Sequence, residues 1–311
     1  MWLTEFGGPE VLVARDTPDP VPGPGQVLVD VAYASITFIE TQFRATGAGP
    51  LRADPPLVPG NGVGGTVAAL GDGVDPALAG ARVVSATGGS GGYASRAVVD
   101  AAGLYRVPDG LALDAATALL ADGRTATLLV RTAEPKPGER VLVEAAAGGV
   151  GSLLVQLVGA AGAHVVAAAG GARKLTLASD LGADEVVDYL SPDWPARTGP
   201  VDLVFDGVGG DVSRAAFGLL PRGGRLLSYG LASGAWSPIS AEEAAERGVT
   251  LLRTAPTQAD LRSCTESALA QAAAGRLRPV IGQRFPLASA ADAHAAIESR
   301  ATVGKTLLEV G

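Results

Sequence analysis

Apolar and small residues between Val141 and Tyr189 fall into a repeating pattern that predicts strand, glycine turn, helix, strand and helix in succession. Val141, Leu142 and Val143 form a short apolar run that enters a turn of small residues from Ala145 to Gly151. That turn opens an apolar helix running to about Ala161, and residues 164–169 form a second buried run before a helix that carries Arg173 and Lys174. Further strands are predicted at 185–188, 201–206, 224–229 and 249–254, and a helix at about 258–274. Six strands alternating with helices are the count expected of an α/β, Rossmann-type doubly wound parallel sheet. Ahead of this region, residues 1 to about 119 carry short runs punctuated by Gly and Pro, at 26–34, 65–70, 82–85 and 93–99, which predict a compact β-rich barrel. A helix over 115–133 leads from one region into the other. Residues 279–311 return to a β pattern around a helix at 289–300, whose His294 is read as structural or exposed.

A strand that turns sharply into a helix leaves several backbone N–H groups unpaired and pointing one way, where they can hold a pyrophosphate. Ala146, Gly148 and Gly151 occupy the three glycine positions of the dinucleotide fingerprint G-x-G-x-x-G, with Gly149 as an added small residue and Val150 inside the turn. The alternative is an ordinary glycine turn between a strand and a helix. The second strand ends in Gly170 and Gly171, where an NAD-preferring fold places an Asp or Glu for the ribose 2′-hydroxyl. No acid stands there; Arg173 and Lys174 follow instead, where cationic heads can meet a 2′-phosphate, so the expected cofactor is NADPH rather than NADH. The competing reading makes this pair a solvated helix face.

Composition narrows the function classes. A chain of 311 residues, 47% hydrophobic and 18% charged, is long enough for two domains with a sizeable core. The net charge of -8 and the lack of a basic stripe argue against nucleic acid as a partner. The most apolar stretch, 152–169, is interrupted by Gln156, Gly159, Gly162 and His164, so no membrane span is expected. A single cysteine, Cys264, rules out an internal disulfide and suits a reducing cytoplasm. The N-terminal segment has no basic region followed by an apolar core, so a secretory signal is not expected.

The run AAAGGVG (145–151), the Lys174 helix, LGADEVVDY (181–189), DLVFDGVGG (202–210), the early GGPEVL (7–12) and VPGNGVGG (58–65), and the closing GKTLLEV (304–310) together resemble the zinc-independent quinone oxidoreductase branch of the medium-chain dehydrogenase/reductase superfamily. The resemblance spans essentially the whole chain. It implies a GroES-like β-barrel catalytic domain, residues 1–119 with 278–311, and a Rossmann NADPH-binding domain, residues 120–277. It also places Thr125 near the nicotinamide and its ribose-phosphate end, Gly148 to Gly151 on the pyrophosphate, and Lys174 and Tyr189 at the adenosine 2′-phosphate. Val208, Tyr229, Gly230 and Ala232 would edge the nicotinamide half. Tyr189 as an ordinary half-buried ring, and Thr125 as a helix hydroxyl bonded to its own backbone, remain open readings.

Zinc needs three or four converging N, S or O ligands. The chain offers one Cys and two His, and Asn61 and Gly62 stand where the resemblance puts a ligand His and its neighbouring Glu, so both zinc sites of the superfamily are expected to be absent. Without a Lewis acid, the fitting reaction is hydride transfer from NADPH to a quinone or an α,β-unsaturated carbonyl (enone), with the proton arriving from water. The catalytic segment departs from the family pattern: Ile36, Thr37, Phe38, Ile39 and Glu40 replace V-N-F-x-D, which makes Thr37 and Glu40 the candidate catalytic residues. Gly47, Ala48, Gly49 and Pro50 replace an aromatic GxYP segment and open the pocket. Tyr93 is a candidate substitute for the lost aromatic, or a core residue. A widened pocket and an Ala- and Gly-rich chain also admit an enoyl reductase or tailoring enzyme of secondary metabolism, and the altered catalytic segment a low-turnover NADPH-binding redox sensor. The apolar strand at 249–254 would lie at a sheet edge, which predicts a homodimer joined there.

Overall fold

The computed structural model describes residues 1–49 and 53–310. In chain order, β1 (Trp2–Leu3) and β2 (Leu12–Val13) form a small antiparallel pair, followed by β3 (Gln26–Ile36), α1 (Phe38–Thr46), β4 (Gly62–Leu70), β5 (Arg82–Ala86), β6 (Arg96–Asp100) and β7 (Tyr105–Arg106). Helix α2 (Leu113–Ala133) precedes β8 (Arg140–Glu144), α3 (Gly149–Ala160), β9 (His164–Ala169), α4 (Ala172–Asp180), β10 (Glu185–Asp188) and α5 (Trp194–Thr198). Then come β11 (Leu203–Asp206), α6 (Gly210–Gly218), β12 (Arg225–Ser228), α7 (Ala241–Arg247), β13 (Thr250–Leu252) and α8 (Gln258–Ala273), and finally β14 (Ile281–Pro286), α9 (Ala290–Glu298) and β15 (Lys305–Glu309). The chain divides into two compact units, Met1–Ala121 with Leu269–Gly311, and Asp122–Ala268. The divisions fall inside α2 and α8.

In the first unit β3 is the shared strand. Its N-terminal half pairs with β6, its C-terminal half with β15, and its other edge with β4 throughout, all antiparallel. Irregularities in the β3–β4 register, between Leu28 and Val29 and between Val31 and Tyr33, bend the strand and shift which residues point inward. Val27, Val29 and Val31 accordingly pack in one core cluster with Val63, Val67, Val83 and Val99, whereas Ala34 and Ile36 join another with Phe43, Tyr93, Ile297 and Leu308.

The second unit holds the six predicted strands in one parallel sheet, in the order β10-β9-β8-β11-β12-β13. Parallel strands are covered on both faces, which is why β8 and β9 read as continuous apolar runs rather than alternations. Val141, Leu142 and Val143 are fully buried, and Phe205 and Phe217 anchor the packing of β11 and α6, each contributing about 1.5–3 kcal/mol by removal from water. β9 and β10 have the boundaries read from sequence, and β11 starts two residues later than read. The run at 93–99 is displaced: the strand begins at Arg96, and Tyr93 precedes it in the core, with its hydroxyl 3.0 Å from His294 Nε2. His294 is buried, and burial with Arg44 nearby holds its imidazole far below the usual range, at about 3, so it is a neutral core residue. No helix among the described residues is long and apolar enough to cross a membrane.

At the amino ends of the strands, Arg140 of β8 is clamped on Glu185 of β10 through both guanidinium nitrogens, and donates to the Thr198 carbonyl at 2.7 Å. His164 of β9 closes the group, its Nε2 2.8 Å from Glu185 Oε1. Hydrogen bonds from Arg140, then His164, depress the Glu185 carboxyl to about 2. The stability this contributes is fully present above the ordinary value of 4.5 and is lost as pH falls through about 2. Glu185 is half-exposed, so solvent screening limits the effect: Glu185→Gln should cost about 0.5–1 kcal/mol near neutral pH. Urea unfolding of both proteins should show that difference closing as the pH is lowered towards 2.

Candidate functional site

At the carboxyl end of β8 the chain turns through Ala145, which adopts a left-handed conformation with φ of 49°, and enters α3 at Gly148. Gly148 donates to the Ala145 carbonyl at 2.8 Å, and no side chain caps the helix. Ala146 is buried and ties the turn to β9 through its N–H to the Ala168 carbonyl at 3.1 Å, whereas Gly148, Gly149 and Val150 are only half-buried. A Cβ on Gly151 would stand 2.2 Å from the Ala145 carbonyl oxygen, so only glycine lets α3 approach the strand end this closely. The result is an uncapped helix N-terminus with small residues around it, the local geometry that accepts an anionic phosphate group.

Neighbouring strands bring further residues to the same sheet edge. β9 ends at Ala169, and Gly170 is flanked by Tyr189 and Leu190, whose side chains would lie 3.2 Å from a Cβ there. Gly171, with φ of 86°, opens α4, whose first turn carries the exposed Arg173 and the half-buried Lys174. Asp188, at the end of β10, accepts the Gly171 N–H at 3.2 Å and the Leu190 N–H at 2.9 Å, so backbone donors already engage the acid next to this turn. At the ends of β11 and β12, Tyr229 and Gly230 donate their N–H groups to the Asp206 carbonyl, Ala232 donates to the Gly207 carbonyl, and the Val208 carbonyl accepts from Ser233. The Tyr229 hydroxyl reaches across to the Glu144 carbonyl at 3.2 Å. The structure therefore gathers Ala146 to Gly151, Gly170, Arg173, Lys174, Tyr189, Val208, Tyr229, Gly230 and Ala232 along the carboxyl ends of one parallel sheet.

Thr125 lies one turn after Asp122 on α2, on the same helix face. Asp122 is buried against Gly149, where a Cβ would stand 2.0 Å from Asp122 Oδ2. Sequence reading missed Asp122, as it missed Glu144 and Asp206, two buried carboxyls that end β8 and β11. The available signal was a charged residue closing an otherwise apolar parallel strand, which is uncommon without a local reason.

Thr37 and Glu40 lie in the first unit, at the start of α1. Glu40 is buried and both of its carboxylate oxygens are engaged: Oε2 accepts from Thr37 N–H and from Thr37 Oγ1, both at 2.7 Å, and Oε1 accepts from Asn61 N–H at 3.0 Å. Burial raises its carboxyl above the ordinary range, opposed by the hydrogen bonds from Thr37. Glu40 thus fixes both Thr37 and Asn61. Of the replaced GxYP segment, Gly47 closes α1 in a left-handed conformation, with φ of 72°, and Pro50 lies outside the described residues. Tyr93 is fully buried and bonded to His294.

Metal donors do not converge. Cys264 is buried, His164 is engaged by Glu185 and His294 by Tyr93; among the described residues no group of three or more His, Cys, Asp or Glu is placed to hold a metal ion.

An alcohol dehydrogenase GroES-like domain matches residues 23–109, and a family described as zinc-binding dehydrogenase matches residues 181–308. The chain is 33% identical to a quinone oxidoreductase of Pseudomonas aeruginosa, over 97% of each chain, and 32% identical to a 2-haloacrylate reductase of Burkholderia sp, over 97% of this chain and 96% of that one. Among solved structures, Escherichia coli quinone oxidoreductase complexed with NADPH has a TM-score of 0.89 at 30% identity, covering 99% of this chain and 98% of that one. The mycobacterial protein Rv1454c complexed with NADPH has a TM-score of 0.88 at 35% identity, with the same coverage. The chain belongs to the quinone oxidoreductase family of the medium-chain dehydrogenase/reductases.

The close approach at Gly151 makes a direct prediction. Gly151→Ala must push α3 off the Ala145 carbonyl, and should lower stability by about 1–3 kcal/mol in urea unfolding; an unchanged midpoint would show that the turn tolerates a side chain.

Proposed function

We propose that this chain is an NADPH-dependent reductase that delivers hydride to a quinone or an α,β-unsaturated carbonyl without zinc. The observation that carries the reading is the sheet edge of the second unit. An uncapped, glycine-lined helix N-terminus follows the central strand, and the next strand ends in two glycines followed by Arg173 and Lys174. Backbone N–H groups of Gly149, Val150 and Gly151 would receive the pyrophosphate, and Arg173, Lys174 and Tyr189 the adenosine 2′-phosphate. Thr125, Val208, Tyr229, Gly230 and Ala232 would border the nicotinamide. When bound, NADPH supplies the hydride.

In the first unit the candidate catalytic residues Thr37 and Glu40 are joined to each other. Thr37 donates its hydroxyl proton to the Glu40 carboxylate, so its oxygen is left with lone pairs that accept hydrogen bonds. Glu40, with both oxygens occupied, serves as a positioning residue for Thr37, and the proton that completes reduction comes from water. The donor set does not fit a catalytic zinc: Asn61 and Gly62 occupy the expected ligand region, and the Cys and both His residues are held elsewhere. A quinone or an activated alkene needs no metal to accept hydride, and the similarity to a 2-haloacrylate reductase supports activated alkenes within the acceptor class.

NADPH absorbance should fall on addition of a simple quinone or a 2-enone and stay constant without acceptor; tight binding without consumption would favour a sensor. Lys174→Ala should weaken NADPH by about tenfold, with little effect on NADH, because it removes one charge-assisted contact to the 2′-phosphate. Equal loss for both cofactors would remove the basis for naming NADPH. We also propose a homodimer paired through β13, which is the last strand of its sheet and carries the half-buried Leu251 and Leu252. Light scattering at micromolar concentration should give twice 31.0 kDa, and a monomeric mass would refute it.

A further inference from the structure

Glu144 and Asp206 close the neighbouring strands β8 and β11, whose register places Val143 beside Phe205. Both carboxyls are wholly buried. Their hydrogen bonds are unequal. Asp206 Oδ1 accepts from Gly209 N–H at 2.7 Å and Val208 N–H at 3.2 Å, and Oδ2 accepts from the Ser213 hydroxyl at 2.8 Å. Among the described residues Glu144 accepts only from Val208 N–H, at 3.2 Å from Oε2, with no donor on Oε1, and its side chain lies within hydrogen-bonding reach of Asp206. Two buried carboxyls acting on each other do not both ionise readily, and the one with more donors keeps the charge. Burial, and Asp206 beside it, favour the protonated form of Glu144. Asp206 from β11 acts on Glu144, and the Tyr229 hydroxyl, just after β12, is faced by Glu144, Asp206, Tyr189 after β10 and Asp122 from α2, all of them acids.

We propose that Glu144 is a protonated positioning residue, which shares its proton with Asp206, fixes the Val208 turn, and makes cofactor affinity depend on that proton staying bound. The proposal rests on the reading above that Val208 and Tyr229 border the nicotinamide. Val208 N–H is the single donor shared by the two acids, and the Tyr229 hydroxyl is anchored on the backbone carbonyl of Glu144 itself, so one residue ties down both walls. Burial first, and Asp206 second, push the Glu144 carboxyl well above its ordinary value of 4.5. With a raised value in the folded state, the arrangement is fully stabilising below 4.5 and loses that contribution as pH rises until Glu144 ionises. A second buried charge, facing Asp206 and without a donor on Oε1, then drives the Val208 turn out of place. The proton takes no part in the reduction.

The test compares wild type with Glu144→Gln, which keeps the shape and a hydrogen-bond donor but cannot ionise. NADPH affinity is followed by cofactor fluorescence from near-neutral into alkaline pH, and the free proteins are compared by infrared spectroscopy. Wild-type affinity should fall by up to about tenfold for each pH unit once the proton leaves, while the variant stays within about twofold of its neutral value. At neutral pH the wild type should show the deuterium-sensitive carbonyl stretch of a protonated carboxylic acid, and the variant should lack it. Parallel affinity profiles, or no such band in the wild type, would overturn the proposal while leaving NADPH binding intact. Wild type that binds no NADPH at any pH would instead sink the functional reading, and this role with it.

Discussion

The close approach of α3 to the end of β8 governs the second unit. At Gly151 the helix backbone comes so near the Ala145 carbonyl that a single methyl group would overlap it, and Ala145 itself must take up a left-handed conformation to make the turn. This contact sets where the α3 N-terminus points and how far it stands from the neighbouring strand ends. The same economy of space recurs one strand away, where a Cβ on Gly230 would meet the Gly207 carbonyl oxygen at 2.5 Å and one on Gly207 would meet the Tyr229 hydroxyl at the same distance. The sheet edge is thus a surface of backbone brought close by the absence of side chains, and its few polar side chains point inward to tie the strand ends together.

Those inward-pointing groups have a common physical basis. Strand ends of a parallel sheet carry N–H and C=O groups that the ladder no longer satisfies, and a buried turn must find partners for them. Asp206 meets this need for the Val208 and Gly209 N–H groups, and Asp188 does the same for Gly171 and Leu190. In the first unit Glu40 performs the equivalent task for Thr37 and Asn61. Three carboxylates at three unrelated turns therefore act as receptors for backbone donors, which gives the loops between elements fixed shapes in the absence of disulfides.

How far the sequence discloses this depends on the range of the interaction. The apolar runs of β9 and β10 fix their own limits, because glycines and polar residues end them locally, and the turn from Ala145 to Gly151 announces its geometry through composition. The family pattern extends this to the whole fold. Partnerships across strands are a different matter. Glu144 meets the Val208 turn only because β8 lies beside β11, and nothing within either segment encodes that adjacency. Tyr93 is a core residue, as one of its two sequence readings has it, but it lies ahead of the strand and not in it, and its partner His294 stands 201 residues later. Glu40 is a catalytic candidate through the family pattern alone, and its neighbours in sequence do not reveal that Asn61 N–H engages its second oxygen.

The position of β3 also bears on how the chain acquires its shape. One edge of its C-terminal half is completed by β15, so residues Tyr33 to Ile36 wait for Thr306 to Glu309 before their ladder closes. All six strands of the parallel sheet leave the ribosome in between, and their neighbours in that sheet are supplied by the same continuous stretch. Assembly from the N-terminus thus allows the later unit to mature first, while the earlier one keeps an open strand edge until β15 has been made. An unpaired edge of that kind is a template for wrong pairing, so the interval before β15 arrives is when a nascent chain of this architecture is most exposed to aggregation.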